Sequence, residues 1–120
     1  MDLQLGAVET RFAELIWQNE PIGSRELANI CERELNWKRT TTYTVLRRLC
    51  EKGIFQNLNG TVSSVIARDD FYAKRGEQFV SENYGGSLPE FIAAFTSRNK
   101  LTAEEADDIQ KLIDRARQEG

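Results

Sequence analysis

The sequence predicts a mainly α-helical fold that includes one small β-hairpin. Apolar residues recur every three or four positions through most of the 120 residues, which is the period of an amphipathic helix. The period changes to two only on either side of Asn59-Gly60, a pair typical of tight hairpin turns. With 40% apolar residues, a chain of this length can build one modest core, or a small domain with an appendage.

Two helices are predicted at the start of the chain. The first runs from Ala7 to Gln18 and is ended by Asn19-Glu20-Pro21; the next three residues, Ile22-Gly23-Ser24, predict a turn and a helix cap, and the second helix continues to Glu34. The apolar face of the first helix consists of Val8, Phe12, Leu15 and Ile16, and that of the second consists of Leu27, Ile30 and Cys31.

The third helix is predicted within Trp37 to Gly53 and is the most informative part of the sequence. At 100° per residue, its apolar stripe consists of Thr42, Val45, Leu46 and Leu49. Its opposite side carries Thr40, Thr44 and Arg47, flanked by Tyr43 and Arg48. Gly53 is suited to the left-handed conformation that follows many helix ends. Such a helix buries one side and presents threonines and bases on the other.

A hairpin follows, with strands in Ile54 to Leu58 and Val62 to Ala67. The order helix, helix, helix, hairpin, with short connections, is that of a winged helix-turn-helix, in which the third helix enters the major groove of DNA. We therefore predict a winged-helix DNA-binding domain over residues 1–68 and a separate helical region over residues 69–120.

The carboxy-terminal region predicts three more helices, over Asp69 to Tyr84, Leu88 to Thr96 and Thr102 to Glu119; Thr102 and Glu105 have the spacing of a capping box. Three short helices cannot bury this much aromatic surface among themselves, so we expect a homodimerisation arm. The alternative is that the helices fold back on the first domain of a monomer. The predicted dimer-interface residues are Phe71, Phe79, Tyr84, Leu88, Phe91, Ile92, Phe95, Leu101, Ile109, Leu112 and Ile113.

The net charge of −3 hides an uneven distribution. Residues 1–68 carry nine bases and eight acids, whereas residues 69–120 carry seven bases and eleven acids. Trp37 to Lys52 contains five bases and one acid, Glu51. A bound phosphate responds mainly to charges within a Debye length of about 8 Å. An acidic arm therefore does not forbid a basic DNA-binding face.

Other classes of protein are disfavoured. No apolar run approaches the roughly 20 residues of a bilayer span, and the first ten residues lack the regions of a secretory signal, so cytoplasmic localisation is the default expectation. We expect buried free thiols at Cys31 and Cys50. The chain has no histidine and no phosphate-binding glycine loop, and adjacent carboxylates such as Asp69-Asp70 fit helix starts. We predict no enzyme, no metal site, no cofactor and no small-molecule ligand.

Double-stranded DNA is the predicted partner. Arg47 is the candidate for reading a guanine, with a surface pair to Glu51 as the alternative. Lys38, Arg39 and Arg48 are expected at phosphates, which fix position without reading sequence. For Tyr43, stacking, phosphate binding and a purely structural role stay open, and for Lys52 a solvated position is equally compatible. Trp17 and Trp37 are expected in the core. The full set of predicted DNA contacts is Lys38, Arg39, Thr40, Thr41, Tyr43, Thr44, Arg47, Arg48, Asn59 and Thr61.

The whole chain resembles the penicillinase-repressor and methicillin-resistance-repressor family of bacterial transcription regulators. The resemblance lies in AVETRFAELIW, in WKRTTTYTVLRRLCEKG with the hairpin after it, in NYGGSL and in LTAEEADDIQKLI. It implies a homodimeric winged-helix repressor on a palindromic operator, inactivated when a membrane sensor protease triggers cleavage in the dimerisation arm. A winged helix that binds protein rather than DNA is the alternative, although its third helix should then show apolar or acidic residues.

The sequence departs from the family pattern at several positions. Lys38 and Arg39 stand where the family has a serine and a proline, and Thr61 stands where the wing often has a base. Cleavage in the best-known members of the family falls at an asparagine-phenylalanine pair, and the corresponding pair in this sequence is Ala94-Phe95. The extra cysteines of the copper-responsive branch are absent after Cys50, so the resemblance does not extend to metal sensing.

Overall fold

The computed structural model describes residues 3–119, with the side chain of Glu119 excepted, as six helices and three short strands. The helices are α1 (Ala7–Asn19), α2 (Ser24–Leu35), α3 (Arg39–Glu51), α4 (Arg68–Asn83), α5 (Leu88–Arg98) and α6 (Ala103–Glu119). The strands are β1 (Ile22–Gly23), β2 (Phe55–Leu58) and β3 (Thr61–Ser64). The fold is thus mainly helical with a small antiparallel sheet, as predicted.

The short strand β1 corrects one prediction. Ile22 and Gly23 do not form a free turn but pair with Val62 and Thr61, so the sheet has the order β1-β3-β2. Gly23 is the N-cap of α2, and it makes no side-chain cap. The Ser24 amide donates instead to the Gly60 carbonyl at 2.8 Å. The start of α2 is therefore fastened to the hairpin turn.

The hairpin turn is confirmed. Asn59 and Gly60 both have positive φ, 54° and 87°, which is the requirement of a two-residue turn that matches the twist of the strands. The Gly60 amide donates to Oδ1 of Asn57 at 3.0 Å, and the other end of the hairpin is held by Glu20, whose Oε1 accepts from the amide and the hydroxyl of Ser64. The β2–β3 hairpin, which is the wing of the winged-helix fold, is therefore fixed at both ends.

The core of the winged-helix region is apolar and draws on every element from α1 to the start of α4. Its fully buried large side chains are Phe12, Ile16, Leu27, Leu49, Ile54, Phe55, Val62 and Phe71. Trp17 packs at 5.2 Å, between ring centroids, from both Phe55 and Phe71, and Trp37 lies 5.2 Å from Phe12. Both tryptophans therefore serve the core, as predicted.

Two predicted apolar positions need correction. Val8 is 58% exposed and does not join the core, because the buried face of α1 is formed by Phe12, Ala13 and Ile16. Phe71 is fully buried in the core of the winged-helix region, so it is unavailable to a dimer interface. Helical periodicity identified Phe71 as an inward residue but not the element against which it packs.

The described chain forms two compact units that divide between Gln78 and Phe79, within α4. In the second unit, Phe79, Tyr84 and Phe91 pack as an aromatic cluster with centroid distances of 5.4–6.1 Å. The predicted capping box is present, since the Thr102 amide donates to Glu105 and the Glu105 amide donates to the Thr102 hydroxyl, both at 3.0 Å. Among the described residues, no helix is both long enough and apolar enough to span a bilayer.

Candidate nucleic-acid interface

The helix α3 divides into a buried stripe and an exposed front. Thr42, Val45, Leu46 and Leu49 are buried, as predicted. Thr40, Thr44 and Arg47 are exposed, and they succeed one another at intervals of four and three residues, so they share one side of the helix. The front therefore faces solvent and presents two hydroxyls, two methyl groups and a guanidinium.

The start of α3 has no side-chain cap, because the lysine at the N-cap position has no acceptor atom in its side chain. Lys38 is the N-cap residue and makes no side-chain hydrogen bond to the helix. Lys38, Arg39, Thr40 and Thr41 are all exposed. The first-turn amides and two positive side chains are thus available to an anion such as a phosphate.

The hydroxyl of Thr44, one of the two threonines of the front, is hydrogen-bonded within the helix. The Thr44 hydroxyl donates to the Thr40 carbonyl at 2.8 Å, in the previous turn of the helix. The proton of that hydroxyl is therefore engaged, and Thr44 offers outside the helix a methyl group and an acceptor oxygen. A methyl at this position suits contact with a thymine methyl group.

Arg47 borders a crevice between α3 and the hairpin. The crevice has a volume of about 370 Å³ and is lined by Tyr43, Leu46, Arg47, Cys50 and Asn57. Within the described part of the chain, Arg47 makes no ion pair with Glu51, which was the alternative to a DNA contact. Tyr43 is half-buried at this crevice, which is compatible with each role left open for it.

Arg48 differs from the other predicted contacts. Its Nη1 lies 3.7 Å from Oε2 of Glu9 on α1, so a carboxylate already faces this guanidinium. The pair argues against the predicted phosphate contact. Lys52 is half-buried rather than solvated, and its Nζ donates to the Gln4 carbonyl at 2.6 Å.

The hairpin tip is exposed and uncharged. Asn59 and Thr61, the two predicted wing contacts, are exposed, and Leu58 beside them is 61% exposed. No charged residue occurs between Lys52 and Arg68. Any contact of this tip with DNA is therefore made by amide, hydroxyl and apolar groups.

Neither thiol has the surroundings of a reactive cysteine. Cys31 is buried and Cys50 is half-buried, and both are free. Burial is the main cause that raises the pKa of each thiol above its ordinary value. The thiolate, which is the reactive form, is therefore disfavoured at both positions.

The second unit exposes an apolar face of its own. An open groove of about 850 Å³ is lined by apolar side chains of α5 and α6 and of the loop between them, including Ile92, Phe95, Leu101, Leu112 and Ile113. Of the predicted interface residues, Phe79, Leu88, Ile92, Phe95, Leu101, Ile109, Leu112 and Ile113 are exposed, and Tyr84 and Phe91 are half-buried. Ala94 and Phe95 are exposed near the middle of α5.

One arrangement was not anticipated from the sequence. Arg68 donates from Nε to both carboxylate oxygens of Glu14 at 2.9 Å, and the Tyr72 hydroxyl donates to Oε1 at 2.7 Å. Partial burial acts to raise the pKa of Glu14, but the hydrogen bonds from Arg68 and Tyr72, together with the positive charge of Arg68, outweigh it and hold the pKa below its ordinary value. The cluster joins α1 to the start of α4.

Comparison with known proteins agrees with this geometry. A family profile described as Penicillinase repressor matches residues 5–115. The chain is also similar to a curated protein, the "Penicillinase repressor" of Bacillus licheniformis, with 23% identity over 115 residues that cover 92% of this chain and 90% of the relative.

Proposed function

Since this chain belongs to the penicillinase repressor family, we propose that it binds a two-fold symmetric operator as a homodimer. The chain is a DNA-binding transcriptional repressor, and its family is not an enzyme family. The third helix, α3, enters the major groove in this proposal. The observation that supports it is the exposed front of Thr40, Thr44 and Arg47 on a helix whose other side is buried.

The proposed division of labour follows the chemistry of each side chain. Arg47 reads a guanine through its bidentate fork, and the Thr44 methyl packs on a thymine. Lys38 and Arg39, at the start of the helix, hold phosphates together with Thr40 and Thr41. The wing residues Asn59 and Thr61 contact the neighbouring backbone through neutral groups.

The proposed dimer forms through the second unit. Eight of the eleven large hydrophobic side chains that are exposed among the described residues belong to this unit. No residue of α5 is buried, although seven of its eleven residues are apolar or proline. A second copy of the same face buries these side chains symmetrically and accounts for a stable helical arm.

Proteolysis is the proposed route of release. Cleavage between Ala94 and Phe95, by a protease under the control of a membrane sensor, would divide the apolar face of α5 and weaken the dimer. The pair lies within a helix, where the Asn99 amide donates to the Phe95 carbonyl at 3.1 Å. We therefore propose that α5 must unwind locally before this bond enters a protease site.

The test begins with selection of duplexes from a random library by the purified protein. We expect enriched sequences with two-fold symmetry and half-site centres about 34–36 Å apart. Binding to these duplexes should weaken steeply as salt rises, because phosphate contacts release counterions. Absence of any enriched or salt-sensitive duplex binding would refute the proposal. An affinity for protein partners that is insensitive to salt would favour the alternative of a winged helix that binds protein.

A further inference from the structure

The arginines at the two ends of α3 have partners of different charge. Arg39, the first residue of the helix, donates from Nη2 to Oδ1 of Asn29 on α2. Arg48, in the last turn, faces the carboxylate of Glu9 on α1 at 3.7 Å. One guanidinium is therefore held by a neutral amide, and the other is opposed by a negative charge.

The charge of the partner decides what each arginine can offer to DNA. A guanidinium has five N–H donors in a planar fork, so one bond to an amide oxygen leaves four donors and the full positive charge. A carboxylate partner cancels that charge locally. Since phosphate contacts gain their salt-dependent affinity from the charge they neutralise, Arg39 retains this capacity and Arg48 largely loses it.

The side-chain amide of Asn29 also restrains the flexible side chain of Arg39. Arg39 and Asn29 are both exposed, so their hydrogen bond is not needed to satisfy a buried group. Lys38 provides no side-chain cap, and the Arg39 side chain links the first residue of α3 to α2. A side chain that is already ordered loses less conformational freedom when it binds a phosphate.

We infer that Asn29 is a positioning residue for DNA binding, which holds the Arg39 guanidinium at a phosphate without cancelling its charge. The inference rests on the proposed role of α3 in DNA recognition. It adds a residue of α2 to those that determine DNA binding, although Asn29 need not touch DNA itself. It also predicts that Arg39, and not Arg48, contributes to the salt dependence of binding.

The decisive variant is Asn29→Asp, which retains an acceptor for Arg39 but introduces a carboxylate. The control is Gln18→Glu, which makes the same change from amide to carboxylate on the exposed surface of α1. Binding of a fluorescent duplex enriched by the wild-type chain is measured from 50 to 200 mM salt, and thermal unfolding is measured on each variant.

We expect the logarithmic salt slope of Asn29→Asp to fall by about 0.9 for each half-site, relative to the control. The ratio of wild-type to variant affinity should therefore shrink about 3.5-fold per half-site over this fourfold range of salt. Thermal stability should be unchanged or higher, because an Arg–Asp pair replaces an Arg–Asn bond. Loss of binding without loss of stability separates an effect on DNA binding from an effect on folding.

Single and double variants complete the test. Arg39→Ala should lower the slope, Arg48→Ala should leave it unchanged, and Asn29→Asp should add nothing beyond the control in the Arg39→Ala background. Equal slopes for Asn29→Asp and Gln18→Glu would overturn this inference alone, as would a full effect of Asn29→Asp without Arg39. Failure of the wild-type chain to bind any duplex would overturn the proposed function, and the inference with it.

Discussion

Truncation of one exposed leucine in the arm should weaken the proposed dimer by an amount that follows from its exposure. Leu112 is 57% exposed and lines the groove of the second unit. Full burial of a leucine side chain contributes about 1.5–3 kcal/mol, so covering the exposed part contributes about 1 kcal/mol. A two-fold symmetric interface contains the residue twice, which gives about 2 kcal/mol for Leu112→Ala, or about 30-fold in the dimer dissociation constant.

The measurement is sedimentation equilibrium over a series of protein concentrations. Alanine is a strong helix former, so the substitution should leave α6 helical, which circular dichroism checks. Operator binding supplies a second readout. Where the free protein is mostly monomeric, the concentration for half-saturation follows the square root of the dimer dissociation constant, so it should rise about fivefold.

The matched control is Val65→Ala in the first unit. Val65 is 54% exposed, so it is a large apolar side chain of comparable exposure outside the proposed interface. It should leave the dimer dissociation constant unchanged. A Leu112→Ala chain that dimerises as well as the wild type, or an equal loss in Val65→Ala, would show that the second copy does not cover this groove.

Four further predictions concern other parts of the molecule. Arg47→Ala should cost about 1–3 kcal/mol of discrimination per half-site, measured as the difference between enriched and random duplexes, and an unchanged preference would exclude base reading. Thr42→Val should raise the free energy of unfolding by about 1 kcal/mol in urea titration, because the buried hydroxyl makes no conventional hydrogen bond and has only the weakly bonding Cys31 thiol beside it; a loss of stability would contradict this. The pKa of Glu14 lies below its ordinary value of 4.5, so the cluster with Arg68 stabilises the fold above that pH and loses its contribution as pH falls through the lowered pKa. Glu14→Gln should therefore flatten the acid limb of the stability profile, and identical limbs would refute the assignment. A chain that ends at Ala94 should bind the operator more weakly than the intact chain, whereas equal affinities would remove the proposed link between cleavage and release.

The helices and the hairpin were predictable because their signals are local. The stripe of α3 follows from its spacing alone, and all four predicted residues are buried. Asn59-Gly60 specifies its turn through the positive φ that both residues adopt at little cost. Neither prediction requires knowledge of a distant part of the chain.

Pairing across the chain was not predictable in the same way. Ile22 and Gly23 are a strand only because Val62 and Thr61, about 40 residues later, lie beside them. Phe71 has the same helical periodicity whether it faces a second chain or the core of its own domain. The neighbours of Arg39 and Arg48 likewise depend on how α1 and α2 pack around α3. These features are set by tertiary contacts, which a pattern of residue types within one element does not encode.

The distribution of charge on α3 supports the proposal that two copies bind DNA together. Of the five bases between Lys38 and Lys52, Arg48 faces Glu9 and Lys52 is half-buried against the Gln4 carbonyl, and the wing adds no charge. Lys38, Arg39 and Arg47 remain as exposed positive groups without a carboxylate partner among the described residues. Three charges give a salt slope near 3, which corresponds to weak binding, whereas a pair of domains reaches the six contacts or more that are typical of strong, salt-sensitive complexes. The apolar face of the second unit and the sparse basic face of α3 therefore support the same proposal, in which affinity for an operator depends on dimerisation.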